Sequence, residues 1–535
     1  MIRIEEIALS FHANPNQLLP IAANLLNLKE KEIFHWQISN RAIDSRNKNF
    51  IRFIYTIDLQ VAQPDKTLEQ IDPNVAKKHR IRIVEPYEYI ISRARIIEGR
   101  PRPVIIGTGP SGLFAALVLA RAGLKPVLIE RGEPIEKRVE KVNLFFNQGL
   151  LDPESNVQFG EGGAGTFSDG KLYTLINDPR THFIFKEFVK AGAPESILWD
   201  AKPHIGTDKL REVIVNLRKE LKSLGATYYF SKTLVGLIIQ DNHLKKIILS
   251  DGEELTCETL VLAIGHSARD TYEMLHRLGL GMSPKIFAVG VRIEHLREWI
   301  DRSQYGKYAG HPLLGSARYK LAVHPKGQRP VYTFCMCPGG YVVAAASENN
   351  RLVTNGMSLH ARDNINSNSA LLVNVYPEDL AGKNLFAGIE FQRRLEETAF
   401  RLGGGQFKAP AQRVEDFLNI RPSDSFGEVS PSYRPGVKPA NLWQCLPKPV
   451  AESLKAALPL FNQKLKGFAH PDAVLTAVES RSTSPLRILR DENFQSNIRG
   501  IFPAGEGAGY AGGIVSAALD GLRVAEAILQ QFNKI

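Results

Sequence analysis

Three glycines at positions 107, 109 and 112 have the spacing G-x-G-x-x-G, and an acidic residue, Glu130, follows them. Glycine lets the backbone come close to a diphosphate, and the first turn of a helix offers free N–H groups to its oxygens. An acid at the end of the following strand can accept hydrogen bonds from a ribose. The pattern predicts a dinucleotide site, to which we assign Gly107, Gly109, Pro110, Ser111, Gly112, Glu130 and Arg131.

These residues must be positioned by a strand, a turn, a helix and a second strand, in that order. Residues 104–106 are a short apolar run, an Ala- and Leu-rich stretch predicts a helix to residue 122, and residues 126–130 predict the next strand. This succession is a βαβ unit, in which a helix joins two parallel strands. We therefore predict an α/β fold with a Rossmann-type parallel sheet.

A second glycine-rich segment lies near the end of the chain. An apolar strand leads into Gly505 and Glu506, and a long helix begins near Gly513 and Ile514. The segment resembles the second FAD fingerprint of the glutathione-reductase-like flavoprotein superfamily. The resemblance implies that Glu506, which is Asp in most members, binds the ribityl chain, and that the N-terminus of the helix stabilises the anionic reduced flavin. These four residues are assigned to the cofactor site.

Further stretches carry the resemblance across the chain. A strand over residues 259–264 leads into Gly265, as in the superfamily strand that returns beneath the cofactor. Residues 156–172 and 334–375 look like a group described as NAD(FAD)-utilising or FAD-dependent dehydrogenases, which also has a small N-terminal α+β module. The resemblance implies FAD as the cofactor and Gly265 as part of its site, and it brings no substrate.

A third glycine-rich loop covers residues 160–165. Side chains are excluded where backbone must lie close to a planar ring or a diphosphate. In related flavoproteins the corresponding loop runs past the flavin, which assigns Gly162, Gly163 and Ser168 to the cofactor pocket. Lys171 either stabilises negative charge on the reduced flavin or the substrate, or is an ordinary solvated lysine.

Two cysteines are candidates for redox chemistry. Cys335 and Cys337 are one residue apart in a predicted strand, so their side chains would project from one face. That arrangement permits a redox role beside a flavin. The spacing differs from the CxxC of disulfide relays, and buried unpaired cysteines behave as small apolar residues, so a packing role is the alternative.

One histidine and one arginine complete the catalytic candidates. His266 follows the returning strand and either donates a proton near the flavin ring or merely orders the turn with Asp270. Arg481 can bind an anionic substrate or a cofactor phosphate. No metal-ligand pattern stands out, so we predict no metal site.

Length and spacing predict five segments in the 535 residues. They are an N-terminal α+β module (1–76), a basic connector (77–102), the first parts of an FAD-binding domain (103–273), an inserted α+β substrate or cap domain (274–479) and the C-terminal part of the FAD-binding domain (480–535). The chain lacks an apolar run that could span a membrane, its first residues are unlike a targeting peptide, and it has four cysteines. We expect a cytoplasmic protein.

The net charge of +11 raises the possibility of an acidic partner. Eight basic and three acidic residues lie between positions 77 and 102. A solvated linker explains this excess, while an RNA-binding surface is the alternative. The missing aromatic residues among these cations make nucleic acid the weaker choice, and the N-terminal module could instead bind a protein partner.

These features predict a flavoprotein that transfers hydride or electrons through FAD to or from an unidentified small molecule, that is, a dehydrogenase or reductase. No second strand-GxGxxG-helix unit is present, so NAD(P)H would have to enter the same cleft transiently as a reductant. Two alternatives remain open, a flavin-dependent RNA-modifying enzyme and a non-catalytic, redox-sensing flavoprotein with a protein partner, because one fold serves many functions.

Overall fold

The computed structural model describes residues 1–174, 176–382 and 384–534. Its N-terminal part is a four-stranded antiparallel sheet in the order β2-β3-β1-β4 with short helices beside it. The elements are β1 (Ile2–Ser10), α1 (Leu18–Leu25), β2 (Ile33–Asp44), β3 (Arg52–Val61), α2 (Pro64–Glu69), α3 (Pro73–Lys78) and β4 (Arg82–Ile83). Apolar side chains alternate along β1 and are buried on one face, as period-two patterning requires. The sheet thus reaches Ile83, beyond the predicted boundary at residue 76.

The middle of the chain alternates strands and helices. The elements are β5 (Val104–Ile106), α4 (Pro110–Arg121), β6 (Val127–Glu130), α5 (Ile135–Gln148), α6 (Arg180–Lys190), α7 (Thr207–Ser223), β7 (Thr227–Phe230), β8 (Leu234–Gln240), β9 (His243–Leu249), β10 (Glu254–Thr256), β11 (Leu260–Leu262) and α8 (Arg269–Arg277). Strands β8, β9 and β10 form a separate antiparallel sheet.

The rest of the chain is richer in antiparallel strands. The elements are β12 (Met282–Pro284), β13 (Phe287–Leu296), α9 (Arg297–Tyr305), β14 (Ala322–Val323), β15 (Val331–Cys337), β16 (Tyr341–Ala344), β17 (Thr354–Met357), β18 (Asn366–Val375), α10 (Ala387–Leu402), β19 (Ala409–Arg413), α11 (Val414–Leu418), β20 (Val437–Pro439), α12 (Lys448–Lys464), β21 (Val474–Glu479), β22 (Leu486–Ile488), β23 (Ile501–Pro503) and α13 (Ile514–Lys534). A seven-stranded sheet has the order β14-β15-β18-β13-β21-β19-β20, and two strand pairs, β12-β22 and β16-β17, stand apart.

A parallel five-stranded sheet in the order β23-β11-β5-β6-β7 joins the middle of the chain to its end. Helix α4 is buried from Ser111 to Ala120 because α13 packs against it. A Cβ on Gly521 of α13 would lie 2.0 Å from the carbonyl oxygen of Ser111, so only glycine allows this close approach. The protein therefore has the mixed α/β fold with a parallel sheet that the sequence predicts.

The basic connector lies against the rest of the protein. Arg102 donates hydrogen bonds to the carbonyl oxygens of Lys125 and Gly225, and the guanidinium of Arg100 lies 3.6 Å from the centre of the Phe532 ring. These contacts give part of the positive excess a structural use. Among the described residues, no helix has both the length and the apolar character needed to cross a membrane.

Candidate functional site

A cavity of about 860 Å³ opens at the carboxyl ends of four parallel strands. The residues that follow β5, β6, β11 and β23 line one side, and β15 of the seven-stranded sheet contributes to another. Its volume is at the upper end of the range for small-molecule sites, about 300–1,000 Å³. Of the predicted site residues, it brings together Gly107, Gly109, Pro110, Ser111, Glu130, Arg131, Gly163, Ser168, Lys171, Gly265, His266, Cys335, Arg481, Gly505, Glu506, Gly513 and Ile514.

The first glycine turn has different steric needs at each position. Gly107 has φ +95°, and a Cβ there would lie 2.3 Å from the carbonyl oxygen of Ala263. A Cβ on Gly112 would lie 1.9 Å from the carbonyl oxygen of Gly107, so Gly112 serves helix packing and lies outside the cavity lining. Gly109 has an ordinary φ of −71°, and the nearest atom to its Cβ would be 3.7 Å away. Its lack of a side chain therefore leaves space in the cavity.

Glu130 is buried and holds two loops together. Its Oε2 accepts hydrogen bonds at 2.8 Å from both the backbone N–H and the hydroxyl of Thr108, and its Oε1 accepts from the N–H groups of Gly132 and Gly160. The sequence predicts a ribose acceptor here. The structure adds a role that the motif does not reveal, because this carboxylate fixes the glycine turn and the loop before residue 163.

Arg138, which belongs to none of the sequence motifs, holds the same loop through its backbone carbonyls. The side chain is completely buried on α5, and burial lowers the pKa of Arg138 to about 9. Its guanidinium donates to five backbone carbonyls at 2.6–3.2 Å, those of Asn156, Val157, Gly160, Glu161 and Gly163. The loop is therefore built around one arginine. The amphipathic pattern of α5 contained a signal, since Arg138 occurs on its buried face between Ile135 and Val142.

The predicted members of the 160–170 loop separate into two groups. Gly163 approaches the first turn closely, because a Cβ there would lie 2.9 Å from the Cα of Gly109. Ser168 lines the cavity, while its hydroxyl donates to the carbonyl of Gly165 at 2.6 Å. Gly162 lies behind the cavity, where a Cβ would lie 2.2 Å from the hydroxyl of Thr166. Gly162 thus shapes the loop from behind.

The C-terminal segment meets the first glycine turn. A Cβ on Gly505 would lie 2.8 Å from the Cβ of Ser111, and the Gly505 N–H donates to Asp520 of α13 at 2.7 Å. Arg490 holds that carboxylate through both oxygens at 2.6 and 2.9 Å. Burial raises the pKa of Glu506 to about 7. Both α4 and α13 begin at the cavity wall, so their N-terminal N–H groups and positive dipole ends face the same space.

His266 lies against Glu506, with its Nδ1 3.8 Å from a carboxylate oxygen. Burial and the nearby Arg481 and Arg269 lower the pKa of His266 to about 3, so the ring is neutral at physiological pH. The Asp270 carboxylate, the alternative partner expected for His266, accepts a hydrogen bond from Arg131 at 2.5 Å.

The two cysteines do not follow regular strand alternation. The register between β15 and β18 shifts between Phe334 and Cys337, and Cys335 has a left-handed φ of +42°. Cys335 lines the cavity, whereas Cys337 is buried outside its lining. A hydrogen bond from Cys337, with Lys171 and Arg292, lowers the pKa of Cys335 to about 5, and burial raises the pKa of Cys337. The bulge thus presents to the cavity one thiol whose pKa is lowered.

Arg481 does not offer a free guanidinium to a ligand. It donates to both oxygens of Glu396 at 2.9 and 3.0 Å and to the hydroxyls of Ser267 and Ser347. Arg269 donates to the same Glu396 carboxylate. The expectation that Arg481 binds an anion is therefore not supported by its contacts, because both arginines are held by one buried acid.

Lys171 lies in the cavity wall, and its ammonium donates to the carbonyl oxygen of Met336. This contact joins the loop after residue 165 to the bulge that carries Cys335. Lys171 is therefore partly buried and bonded, whereas the alternative prediction was an ordinary solvated lysine.

The cavity provides unused polar groups of the kinds that FAD needs. The Ser111 hydroxyl, in the first turn of α4, and the His266 Nε2 are buried and have no hydrogen-bond partner among the residues that the structure describes. Helix N-termini, hydroxyls and close-approach glycines are the groups that bind a diphosphate. The residues present therefore fit FAD, and Gly109 and Ser111 would hold its diphosphate.

Comparisons with known proteins agree with this site. Residues 286–482 match the family described as FAD-dependent protein, C-terminal domain-like, and residues 1–60 match a domain of unknown function. An uncharacterized protein of Clostridium beijerinckii is 48% identical over 534 residues, which is 99% of each chain.

Two solved flavoenzyme structures match the chain at low similarity. The glycerol-3-phosphate dehydrogenase of Bacillus halodurans complexed with FAD has a TM-score of 0.36 and 12% identity, over 82% of this chain and 66% of that one. The glycine oxidase of Bacillus cereus has a TM-score of 0.31 and 12% identity, over 81% and 95%. The nearly full-length clostridial match shows that the chain belongs to the same family as that protein, and its residues 286–482 match the C-terminal domain of FAD-dependent proteins.

Proposed function

We propose that the protein is an FAD-dependent oxidoreductase, a dehydrogenase or reductase that moves hydride or electrons between a tightly bound flavin and an unidentified small molecule. The observation that carries the proposal is the convergence of three glycine-rich segments, at residues 107–112, 160–165 and 505–513, on one cavity. The third segment lies hundreds of residues after the first two in the sequence. All three contribute backbone rather than bulky side chains to the same space.

The chain's own groups would divide the cofactor between them. The N–H groups that begin α4, with the free hydroxyl of Ser111, would bind the diphosphate, and Gly109 would give it room. The N-terminus of α13 and Glu506 would face the ribityl chain and the flavin ring, as in glutathione-reductase-like flavoproteins. When bound, FAD supplies reversible hydride and electron transfer.

The other wall would hold the substrate. Cys335 and Lys171 lie there, on the bulge of β15 and on the loop bonded to it. Lys171 would stabilise negative charge, and neutral His266 would hold or donate a proton through its unpaired Nε2. NAD(P)H would act as a transient reductant in the same cleft.

The sheets support the predicted division of the chain, which we retain as part of the proposal. The parallel sheet draws its strands from residues 104–262 and 501–503, and the seven-stranded sheet draws its strands from residues 287–479. These ranges fit an FAD-binding domain in two parts, 103–273 and 480–535, around a substrate domain at 274–479. Ile535 lies outside the described residues.

The test is reduction of the purified protein. The native protein is mixed anaerobically with NADH and, separately, with NADPH, and the visible flavin band is followed. Bleaching within seconds with either nucleotide establishes a reductase half-reaction. A flavin that stays oxidised with both makes the organic substrate the electron donor. A protein that neither contains nor takes up flavin contradicts the proposal.

A further inference from the structure

The charged residues of the cavity are distributed unequally. Cations near the first glycine turn have carboxylate partners, since Arg131 pairs with Asp270 and Lys232 pairs with Asp251. Lys202, Arg318 and Lys320 also line the cavity, and none of them makes an ion pair with a carboxylate of the described residues. We call these three residues the cationic cluster.

The members of the cationic cluster lie close together. The Arg318 guanidinium donates to the backbone carbonyl of Lys202, and Lys320 follows Arg318 by two residues. Mutual repulsion among these cations, added to burial, lowers the pKa of Lys202, and burial with the nearby Arg362 lowers the pKa of Arg318 to about 10. Arg318 is partly buried, whereas Lys202 and Lys320 are exposed, and a bound anion would compensate the positive charge that the three bring together.

Neighbouring carboxylates compensate the cluster only in part: the Asp200 carboxylate partly offsets the lowering of the pKa of Lys202 and of Arg318, but among the described residues it forms an ion pair with neither. Asp169 lies in the cavity wall but is held by both a bidentate contact from Arg362 and the hydroxyl of Ser358. Glu479 accepts a hydrogen bond from buried Arg292 at 3.1 Å. The acids closest to the bulge are thus already matched by other arginines.

Apolar rings stand beside the cluster on the same cavity wall. Phe334 is 42% exposed and Tyr173 is 51% exposed, although both line the cavity. Exposed rings next to unmatched cations suit a molecule with one apolar part and one anionic part, and they suit an inorganic ion poorly.

We propose that the cationic cluster binds the oxyanion of an organic substrate, a carboxylate or a phosphate ester, whose apolar part lies against Phe334 and Tyr173. This proposal specifies the substrate class of the oxidoreductase proposed above, and it rests on that proposed function. Its residues, 202 and 318–320, are different from Gly109 and Ser111, which we assign to the diphosphate.

The experiment titrates the purified holoprotein by calorimetry with benzoate, phenyl phosphate and neutral benzyl alcohol, at matched ionic strength. Benzoate and phenyl phosphate should bind saturably, and the tighter of the two tells whether the natural group is a carboxylate or a phosphate. Benzyl alcohol should bind at least about tenfold more weakly, since a charge-assisted hydrogen bond contributes that much. Equal binding of benzyl alcohol and the anions would overturn the proposal.

Variants locate the site. Arg318→Gln should weaken binding of the preferred anion at least about tenfold while leaving FAD content unchanged. Lys202→Gln, on an exposed loop residue, gives the same test if the Arg318 variant does not fold. Lys326→Gln removes the same charge from an exposed turn outside the cavity and should bind like the native protein. Native-like binding by both cluster variants would overturn the proposal.

The two proposals fail differently. Loss of the oxidoreductase proposal would appear as a protein without flavin, whatever calorimetry gives. If the oxyanion proposal is wrong, the protein will contain flavin, but the Arg318 and Lys202 variants will bind the anions as tightly as the native protein does.

Discussion

The two ends of the cavity differ in how far their polar groups are already satisfied. At the first glycine turn, Glu130 accepts four hydrogen bonds and Arg138 donates five, all but one of them to or from backbone groups. At the other end, the cationic cluster has no carboxylate partner among the described residues. The hydrogen bonds of Glu130 and Arg138 therefore fix the backbone at the cofactor end before any ligand binds. At the substrate end, the positive charge of the cationic cluster remains for a ligand to neutralise.

The largest effect should come from breaking the fixed end. Arg138→Met leaves five buried carbonyls without a donor, and we expect a loss of about 3–5 kcal/mol in the free energy of unfolding together with loss of FAD. Denaturant unfolding and flavin content measure the two effects. Arg277→Met, at an exposed helix end, is the matched control. A stable Arg138 variant that keeps its flavin would contradict the role given to this arginine.

A smaller change should separate cofactor binding from folding. Gly109→Ala puts a methyl group into the cavity at a position whose φ suits alanine, so the fold should persist. We expect FAD affinity to fall about 10- to 100-fold, the cost of crowding a fitted site. Fluorescence titration of the apoprotein with FAD measures the affinity, and its thermal unfolding is the control. Unchanged affinity would mean that the diphosphate does not pass Gly109.

The substrate end should be chemically reactive at Cys335. Its folded pKa of about 5 is below that of a free thiol, so the thiolate is present above that pH and is lost only as pH falls through 5. Alkylation by iodoacetamide should change less than about twofold between about pH 6.5 and pH 8.5, while an ordinary thiol gains about 50-fold.

Mass spectrometry of the modified peptide follows this reaction. Cys257 and Cys445 are internal controls, because burial raises the pKa of each thiol to about 12, and they should stay unmodified until the protein unfolds. An ordinary rise in the rate at Cys335 with pH would show that the bulge does not lower its pKa.

The smallest effect should come from outside the cavity. Arg41 of β2 bonds through its backbone to Trp199 and Ala201, and its guanidinium lies 4.4 Å from the Trp199 ring centre. Lys202 of the cationic cluster directly follows Ala201 in the sequence. Arg41→Ala should weaken anion binding about two- to threefold through lost cation–π packing, measured by the same calorimetry. Arg46→Ala, on an exposed residue of the same module, should have no effect.

Local patterns predicted the parts of the molecule that depend on local sequence. The strand at residues 104–106 lies where the apolar run placed it, α4 ends one residue before the predicted limit, and the parallel sheet follows from the βαβ unit. The glycines of the first turn have a recognisable spacing. The close approach of Gly112 to Gly107 acts within six residues, whereas the constraint on Gly107 comes from the distant Ala263.

The rest depends on pairing between distant residues. The sequence predicts that Arg481 binds an anion, yet its guanidinium donates to Glu396, 85 residues away. Arg318, which the sequence does not single out, makes no ion pair with a carboxylate of the described residues. The bulge at Cys335 arises from the register between β15 and β18, which strand periodicity alone does not contain. Which charges are matched is decided by the tertiary fold, so the sequence predicts the cofactor end better than the substrate end.

The central claim is that the cavity holds FAD, and the flavin released from the gently purified native protein tests it most directly. Heat denaturation followed by chromatography identifies and counts the flavin. The account predicts about one FAD per chain in the native protein and much less in Gly109→Ala. A native protein that releases no flavin, and that takes up none when FAD is added, would contradict it.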